Sequence, residues 1–317
     1  MKSTTMKTYS LVLAFSLLLA TDVCEAQSKN QLFGMNDFFM PELVTVDIQT
    51  GDREFVGLFG SEFTRFNSIA IDAQGQLFSI GENLSGEPVI VQIDRLTGQA
   101  SDPVLLTLDG KPAPSFHASS FAPDGTLYAI TFSFPNSLCT IDTVSGVVTD
   151  VGTILLDKQN GLRIPNVSFA NDGQLYGFGI ASGSVDVGLI RIDIETTIAE
   201  DVDPKLGSSG FFPVQGLGVA ADGNIYGSTL DQLVQVNLDG TIVPIGSASY
   251  ADVRGIAGVA AVLLGDVNCD QVVNLLDVEP FVETLGSAEF NTKADINRDG
   301  VVNLLDVSGF VDLINGG

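Results

Sequence analysis

The chain has 317 residues, 45 % of them hydrophobic, with 34 glycines, 39 acidic and 14 basic side chains and a net charge of −25. That content excludes an intrinsically disordered chain, and the length allows a sizeable core and more than one domain. The charge argues against nucleic acid or an anionic membrane as partner and suits divalent cations or basic partners, with plain solubility as its alternative meaning.

Lys2 and Lys7 precede an apolar run, Ser10 to Ala20, that is too short to span a membrane. Small residues at Cys24 and Ala26 then place a cleavage site before Gln27. Residues 1–26 are therefore expected to be a signal peptide, and the mature chain to be secreted. A lipid anchor on Cys24 is the rival, disfavoured because Asp22 and Val23 stand where small neutral residues are needed. No later apolar run reaches transmembrane length. Cleavage leaves Cys139 and Cys269, whose pairing the sequence does not decide.

Residues 29–263 are built from an internal repeat. "SIAIDAQGQLFSI", "SSFAPDGTLYAI", "VSFANDGQLYGF" and "LGVAADGNIYGS" align on Gly75, Gly125, Gly173 and Gly223, at separations of 50, 48 and 50 residues. Each is an apolar strand, a tight turn whose glycine supplies positive φ, and a second strand. A third strand ends in "VDIQTG", "IDRLTG", "IDTVSG", "IDIETT" or "VNLDGT", and a fourth comes after it, as in "EFVGLFG" or "TIVPIGS". Four strands repeated at this period describe propeller blades. Five third strands but only four complete first strands are present. The missing one is supplied by "RGIAGVAAV", Arg254 to Val262, pairing with "QLFGM", Gln31 to Met35. The expectation is a five-bladed β-propeller closed through its chain ends, with six blades the runner-up if the connection from Leu105 to His117 hides strands. These turns resemble those of secreted propellers with quinoprotein-like repeats, a resemblance that implies architecture only.

Aligned on the same glycines, Asn67, His117, Pro165 and Gln215 fall at one register position, and Arg254 matches them in the closing strand. They would ring one mouth of the channel and offer a small-ligand site, ordinary loop polarity being the alternative. Catalytic signals are sparse. His117 is the only histidine, and the pattern G-x-S-x-G does not occur. Asp47, Asp94, Asp142 and Asp193 recur at one blade position, which points to turn hydrogen bonds. Acid pairs for glycoside hydrolysis stay open, while the lack of tryptophan disfavours a strong glycan platform.

The tail repeats "GDVNCDQVVNLLDVEPFV" as "ADINRDGVVNLLDVSGFV", 29 residues on. Asp266, Asn268, Asp270, Val272, Asn274 and Asp277 occupy positions 1, 3, 5, 7, 9 and 12 of a twelve-residue loop, and Asp295, Asn297, Asp299, Val301, Asn303 and Asp306 do so in the second. Alternate oxygen donors at these positions wrap a hard cation, with position 7 giving its backbone carbonyl. Two Ca2+ ions are expected, contributing to the folding of a small unit. After each loop comes an apolar set at helical spacing: Val278, Phe281, Val282 and Leu285, then Val307, Phe310, Val311 and Ile314.

No helix precedes the first loop; "GVAAVLLG" reads there as a strand. A duplicated loop–helix without its entering helix resembles the type I dockerin domain, over Leu264 to about Ile314. The fold expected is mainly β: a five-bladed propeller with a small all-α, duplicated F-hand, dockerin-like domain at residues 264–317. The resemblance implies a cohesin-like scaffold partner in a polysaccharide-degrading, extracellular setting, with polysaccharide a second candidate partner. Three departures stand out. Gln271 replaces the position-6 glycine that Gly300 keeps, so the first site is expected to be the weaker. Pro280 and Gly309 interrupt the two helical patterns. Leu275-Leu276 and Leu304-Leu305 stand where dockerins often carry hydroxyl residues for partner recognition; they read as an apolar docking surface, with one leucine of each pair shared with the core. A calcium-dependent docking protein is the leading reading. A secreted glycoside hydrolase or polysaccharide lyase on the propeller, and a purely structural calcium cap, are the alternatives.

Overall fold

The computed structural model describes residues 31–36, 41–72, 75–156, 160–181, 185–202, 214–246, 253–258, 265–268, 273–285, 293–297 and 301–315. The predicted signal peptide and the strand predicted over "GVAAVLLG" lie outside these residues, apart from Gly258 and Gly265. The chain divides into two compact units, Asn30–Ala261 and one that holds Val262–Gly317.

Five sheets build the larger unit. From the channel outward, the second blade runs Phe63–Ile71, Leu77–Asn83, Pro88–Ile93 and Val104–Leu105. The third runs Phe116–Phe121, Leu127–Thr131, Ser137–Ile141 and Val147–Thr153. The fourth runs Val167–Phe169, Leu175–Ala181, Val185–Ile192 and Ile198–Asp201, and the fifth Gly216–Val219, Ile225–Ser228, Leu233–Val236 and Ile242–Ile245. The first blade combines Gln31–Asn36, Glu42–Asp47 and Arg53–Leu58 with an innermost strand from the far end of the unit, Val253–Gly258. That strand pairs antiparallel with the N-terminal one, Gly34 opposite Ile256 and Leu32 opposite Gly258. The five innermost strands neighbour one another in a closed ring, which leaves no inner sheet edge open.

The connection from Leu105 to His117 does contain strands, but they add no sixth blade. Thr107–Leu108 and Lys111–Pro112 form a hairpin joined in parallel to the outer strand of the third blade, Val147 opposite Thr107. Leu155–Leu156 and Asn160–Gly161 extend the fourth blade in the same way.

The core is five clusters, one between each pair of adjacent blades. Phe59, Phe63 and Phe66 fill the space between the first and second blades, with Phe59 edge-on to Phe66 at 5.0 Å between ring centres. Because each blade packs on both faces, consecutive residues of a strand are buried: Leu77, Phe78, Ser79 and Ile80 all are. Polarity returns at the turns. Asp47, Asp94, Asp142 and Asp193 each accept two backbone N–H groups two and three residues on, at 2.7–3.0 Å. These bonds hold the Asp94, Asp142 and Asp193 carboxyls below the usual carboxylate range, led by the N–H groups of Thr97, Ser145 and Thr196 respectively.

In the tail unit, α1 (Val278–Leu285) and α2 (Asp306–Ile314) each come after a loop. A single 3₁₀ turn, Leu275–Asp277, leads into α1. Pro280 therefore sits in the first turn of α1, where a missing N–H costs nothing. Its carbonyl accepts the Thr284 hydroxyl at 2.9 Å. Gly309 lets the second loop approach its helix: a Cβ there would stand 2.7 Å from Ile296 Cγ2. The small core holds Val267, Phe281, Ala294 and Phe310, and the two phenyl rings stack at 3.9 Å. The predicted apolar face is narrower than its pattern. Val282 and Val311 are 58 % and 48 % exposed, because the helices meet through this one aromatic pair and the stripe around it.

Candidate functional site

The two loops fold alike. Asp277 accepts the Asn268 N–H at 3.0 Å and the Asn274 N–H at 2.9 Å, one on each carboxylate oxygen. Asp306 repeats this with Asn297 at 3.1 Å and Asn303 at 2.8 Å. Position 12 thus ties down positions 3 and 9 in both copies. The position-9 side chains cap the turn that leads out of each loop: Asn274 accepts from Leu276 N at 2.7 Å and Asn303 from Leu305 N at 2.8 Å. Asp270, Val272 and Asp299 lie outside the described residues, as do Gln271, Gly300 and Cys269.

The donors suit a hard cation. All are oxygens, each carboxylate oxygen keeps a second lone pair beyond its N–H partner, and Asp266, Asp277, Asp295 and Asp306 are 1 %, 0 %, 6 % and 0 % exposed. Carboxylates withdrawn from water need a compensating charge. Residues 264–317 carry ten acidic and two basic side chains, so their own lysine and arginine do not balance them. One of the two is committed locally: Lys293 Nζ lies 2.8 Å from Asp266 Oδ2, across from the first loop. Nothing in the repeat pattern pointed to Lys293; its counterpart in the first copy is Leu264.

The leucine pairs are both outside the core. Leu275 and Leu276 are 77 % and 67 % exposed, Leu304 and Leu305 80 % and 70 %. The expectation that one leucine of each pair is shared with the core is corrected: the 3₁₀ turn and its counterpart aim both side chains away from the stacked phenylalanines. With the exposed Val282 and Val311, each half presents an apolar patch.

In the propeller, Asn67, His117, Pro165, Gln215 and Arg254 line one small cavity of about 10 Å³, room for about one water molecule, together with the strand residues next to them. Hydrogen bonds between neighbouring inner strands fix its wall. Asn67 Nδ2 donates to Phe116 O at 3.2 Å, the Ser68 and Ser119 hydroxyls pair at 2.8 Å, and Asn166 donates to Val214 O. His117 is 9 % exposed, and its Nε2 has no hydrogen-bond partner among the described residues; nor does Gln215 Oε1. Burial pushes the imidazole down to about 4, the Arg163 charge adds to this, and a backbone hydrogen bond at Ile164 opposes it. The ring is therefore neutral near pH 7. Phe132, 47 % exposed, packs edge-on to His117 at 5.2 Å, with the Arg65 and Arg163 guanidinium carbons 5.9 and 5.8 Å from its ring centre. These three residues sit outside the aligned register position, so the repeat did not reveal them.

Among solved structures, the chain is similar to a protein of unknown function from Bacteroides thetaiotaomicron VPI-5482, at 14 % identity over 71 % of this chain and 57 % of that one, TM-score 0.49. It is similar to TolB from Acinetobacter baumannii, at 16 % over 73 % and 55 %, TM-score 0.44. A gluconolactonase from Xanthomonas campestris matches at 13 % over 72 % and 80 %, TM-score 0.45. The chain spans just over half the length of the first two. No curated protein matches it. Among the described residues no helix is long and apolar enough to cross a membrane. Residues 264–310 match the model of the dockerin type I domain. Such domains generally bind Ca2+ and imply a cohesin partner, and proteins that carry them are typically extracellular. The chain carries a type I dockerin domain at residues 264–310, behind a five-bladed β-propeller body.

Proposed function

We propose that this is a secreted, calcium-dependent docking protein that carries its propeller to a cohesin-type scaffold in a polysaccharide-degrading setting. One observation carries the reading: each loop–helix half exposes a leucine pair and a helix valine directly beside a loop whose position-1 and position-12 carboxylates are buried. Cation binding would order the loop and so fix the turn that presents the leucines. The two halves are near repeats, so either patch offers the same surface to a partner. Two ions are proposed, with the ligands at positions 1, 3, 5, 7, 9 and 12 of each loop. The first site is the weaker, because Gln271 holds its position 6 and Lys293 already engages its position-1 carboxylate.

The test is capture of partners from the source's own secretome by the full chain, with calcium and then with chelator. A calcium-dependent partner with a cohesin module is expected. Leu275→Ser with Leu276→Ser leaves capture in place through the second half, and adding Leu304→Ser with Leu305→Ser abolishes it. Calcium-independent capture, or capture untouched by all four changes, would overturn the reading.

A further inference from the structure

His117 is the chain's one histidine, and it sits where three blades meet. Its strand, Phe116–Phe121, lies between the innermost strands of the second and fourth blades, Phe63–Ile71 and Val167–Phe169. On one side Asn67 Nδ2 donates to Phe116 O at 3.2 Å. On the other the imidazole bonds the Ile164 backbone, and Ile164 N donates to Asn136 Oδ1, on a fully buried side chain of the third blade. His117 and Asn136 thus both tie the third blade to the segment that enters the fourth.

The surroundings of the ring suit its neutral form. Nε2 is closed off from solvent and has no hydrogen-bond partner among the described residues, so a proton placed there meets neither an acceptor nor water. The charges that face it are positive. Arg163, from the segment entering the fourth blade, acts on the ring directly. Arg254, from the closing strand, is the one other charged residue lining its cavity. Arg65, from the second blade, lies beyond the Phe132 ring that packs edge-on to the imidazole. Glu82 of the second blade is already engaged, by Arg65 and by Ser115 Oγ at 2.7 Å. Asn67, Asn166 and Gln215, which line the cavity from the second, fourth and fifth blades, are uncharged. Burial and like charge both disfavour an imidazolium here.

We propose that His117 is a proton-sensitive clasp on the joint of the third and fourth blades: neutral, it holds the joint shut at the channel mouth, and protonated it lets the joint open to water. A proton on Nε2 stays unmet while the joint is shut, so proton uptake and opening are coupled. In the shut joint the ring is pushed down to about 4, by burial first and by the Arg163 charge second, whereas an exposed histidine titrates near about 6.5. The clasp is therefore complete above about pH 6.5 and weakens as pH falls from there toward about 4. It is independent of the docking reading, since every residue in it belongs to the propeller unit.

Hydrogen exchange on the full chain in saturating calcium, corrected for the intrinsic pH dependence of exchange, reads the joint. From about pH 7 to about pH 5, opening of segments 116–121 and 162–169 should rise roughly twentyfold, as one proton is taken up on opening. Glu42–Asp47 in the first blade should not change. Asp94, Asp142 and Asp193 are held below the usual carboxylate range and so titrate outside this window. His117→Asn, which keeps an amide donor, should remove the pH dependence. Proton NMR of the unaltered chain keeps the test decisive if that variant does not fold: the single histidine ring resonance should hold its position from about pH 7.5 to about pH 5.5. A ring midpoint near about 6.5 in the folded chain would overturn the proposal. So would an opening rate that ignores pH, a rise shared equally by the first blade, or an undiminished rise in folded His117→Asn.

Discussion

Lys293 illustrates how one side chain can make two near-identical loops unequal. Its ammonium lies against Asp266 at 2.8 Å, with the lysine 14 % and the aspartate 1 % exposed in their side chains. A cation entering the first loop must displace or oppose that ammonium, while the matching position of the other repeat is the uncharged Leu264. Removing the ammonium should favour calcium by about 1 kcal/mol, roughly fivefold in affinity. The comparison uses calorimetry in two single-loop backgrounds. Asp295→Ala leaves the first loop, expected to be the weaker, and Asp266→Ala leaves the second. Adding Lys293→Met to the first background should recover about fivefold. Equal affinities of the two loops would contradict the asymmetry, and an unchanged first loop after Lys293→Met would remove the lysine as its cause.

Blades are held not only by apolar packing but by backbone contact at the rim. In four of the five blades the turn after the third strand presses on the outer strand of the preceding blade. A Cβ on Gly57 would stand 1.8 Å from Thr97 O, and one on Gly146 2.1 Å from Leu105 O. A Cβ on Gly246, in the fifth blade, would stand 1.8 Å from Thr50 O of the first, so the contact also closes the ring. Neighbouring N–H groups use the same approach: Ala100 N donates to Phe59 O at 3.0 Å and Thr107 N to Gly146 O at 2.9 Å. In the fourth blade the glycine is replaced by Thr197 at φ 55°, whose hydroxyl reaches Thr153 O at 2.9 Å and so makes the contact by a side chain. Two glycine substitutions separate packing from backbone freedom. Gly57→Ala forces apart two blades and should cost about 3 kcal/mol. Gly86→Ala has φ 75° with nothing within 4 Å and should cost about 1 kcal/mol, the left-handed conformation alone. Urea unfolding midpoints distinguish them; equal losses would mean that the rim contact contributes little.

At the scale of the whole molecule, the sequence shows what repeats and hides what does not. The blade count, the closing pair Leu32–Gly258 and the convergence of Asn67, His117, Pro165, Gln215 and Arg254 on one cavity are consequences of register. Register is legible because turn glycines mark every hairpin. Phe132, Arg163 and Lys293 were not legible, because each joins its site from outside the repeated pattern. The exposure of both leucines in each pair was not legible either, because spacing alone cannot show how little core two short helices can cover.

That small core should give the two units different dependence on calcium. The propeller has five clusters of buried apolar side chains, the tail only one, with four members fully inside. For the tail, ion binding is folding free energy: about 2.7 kcal/mol per site when free calcium is a hundredfold above its dissociation constant. The spectroscopy separates the units cleanly. All five tyrosines precede residue 264 and there is no tryptophan, so tyrosine fluorescence reports the propeller. The described α-helices are both in the tail, so ellipticity at the helical minimum reports the tail. Heating in chelator should bring the helical transition down by many degrees, or abolish it, and leave the tyrosine transition within about a degree of its value in calcium. Tyrosine and helical signals moving together would show that calcium stabilises the propeller as well. A helical transition indifferent to chelator would mean that four buried apolar side chains, two of them stacked, hold the tail without its ions, and with that the calcium dependence of docking would lose its physical basis.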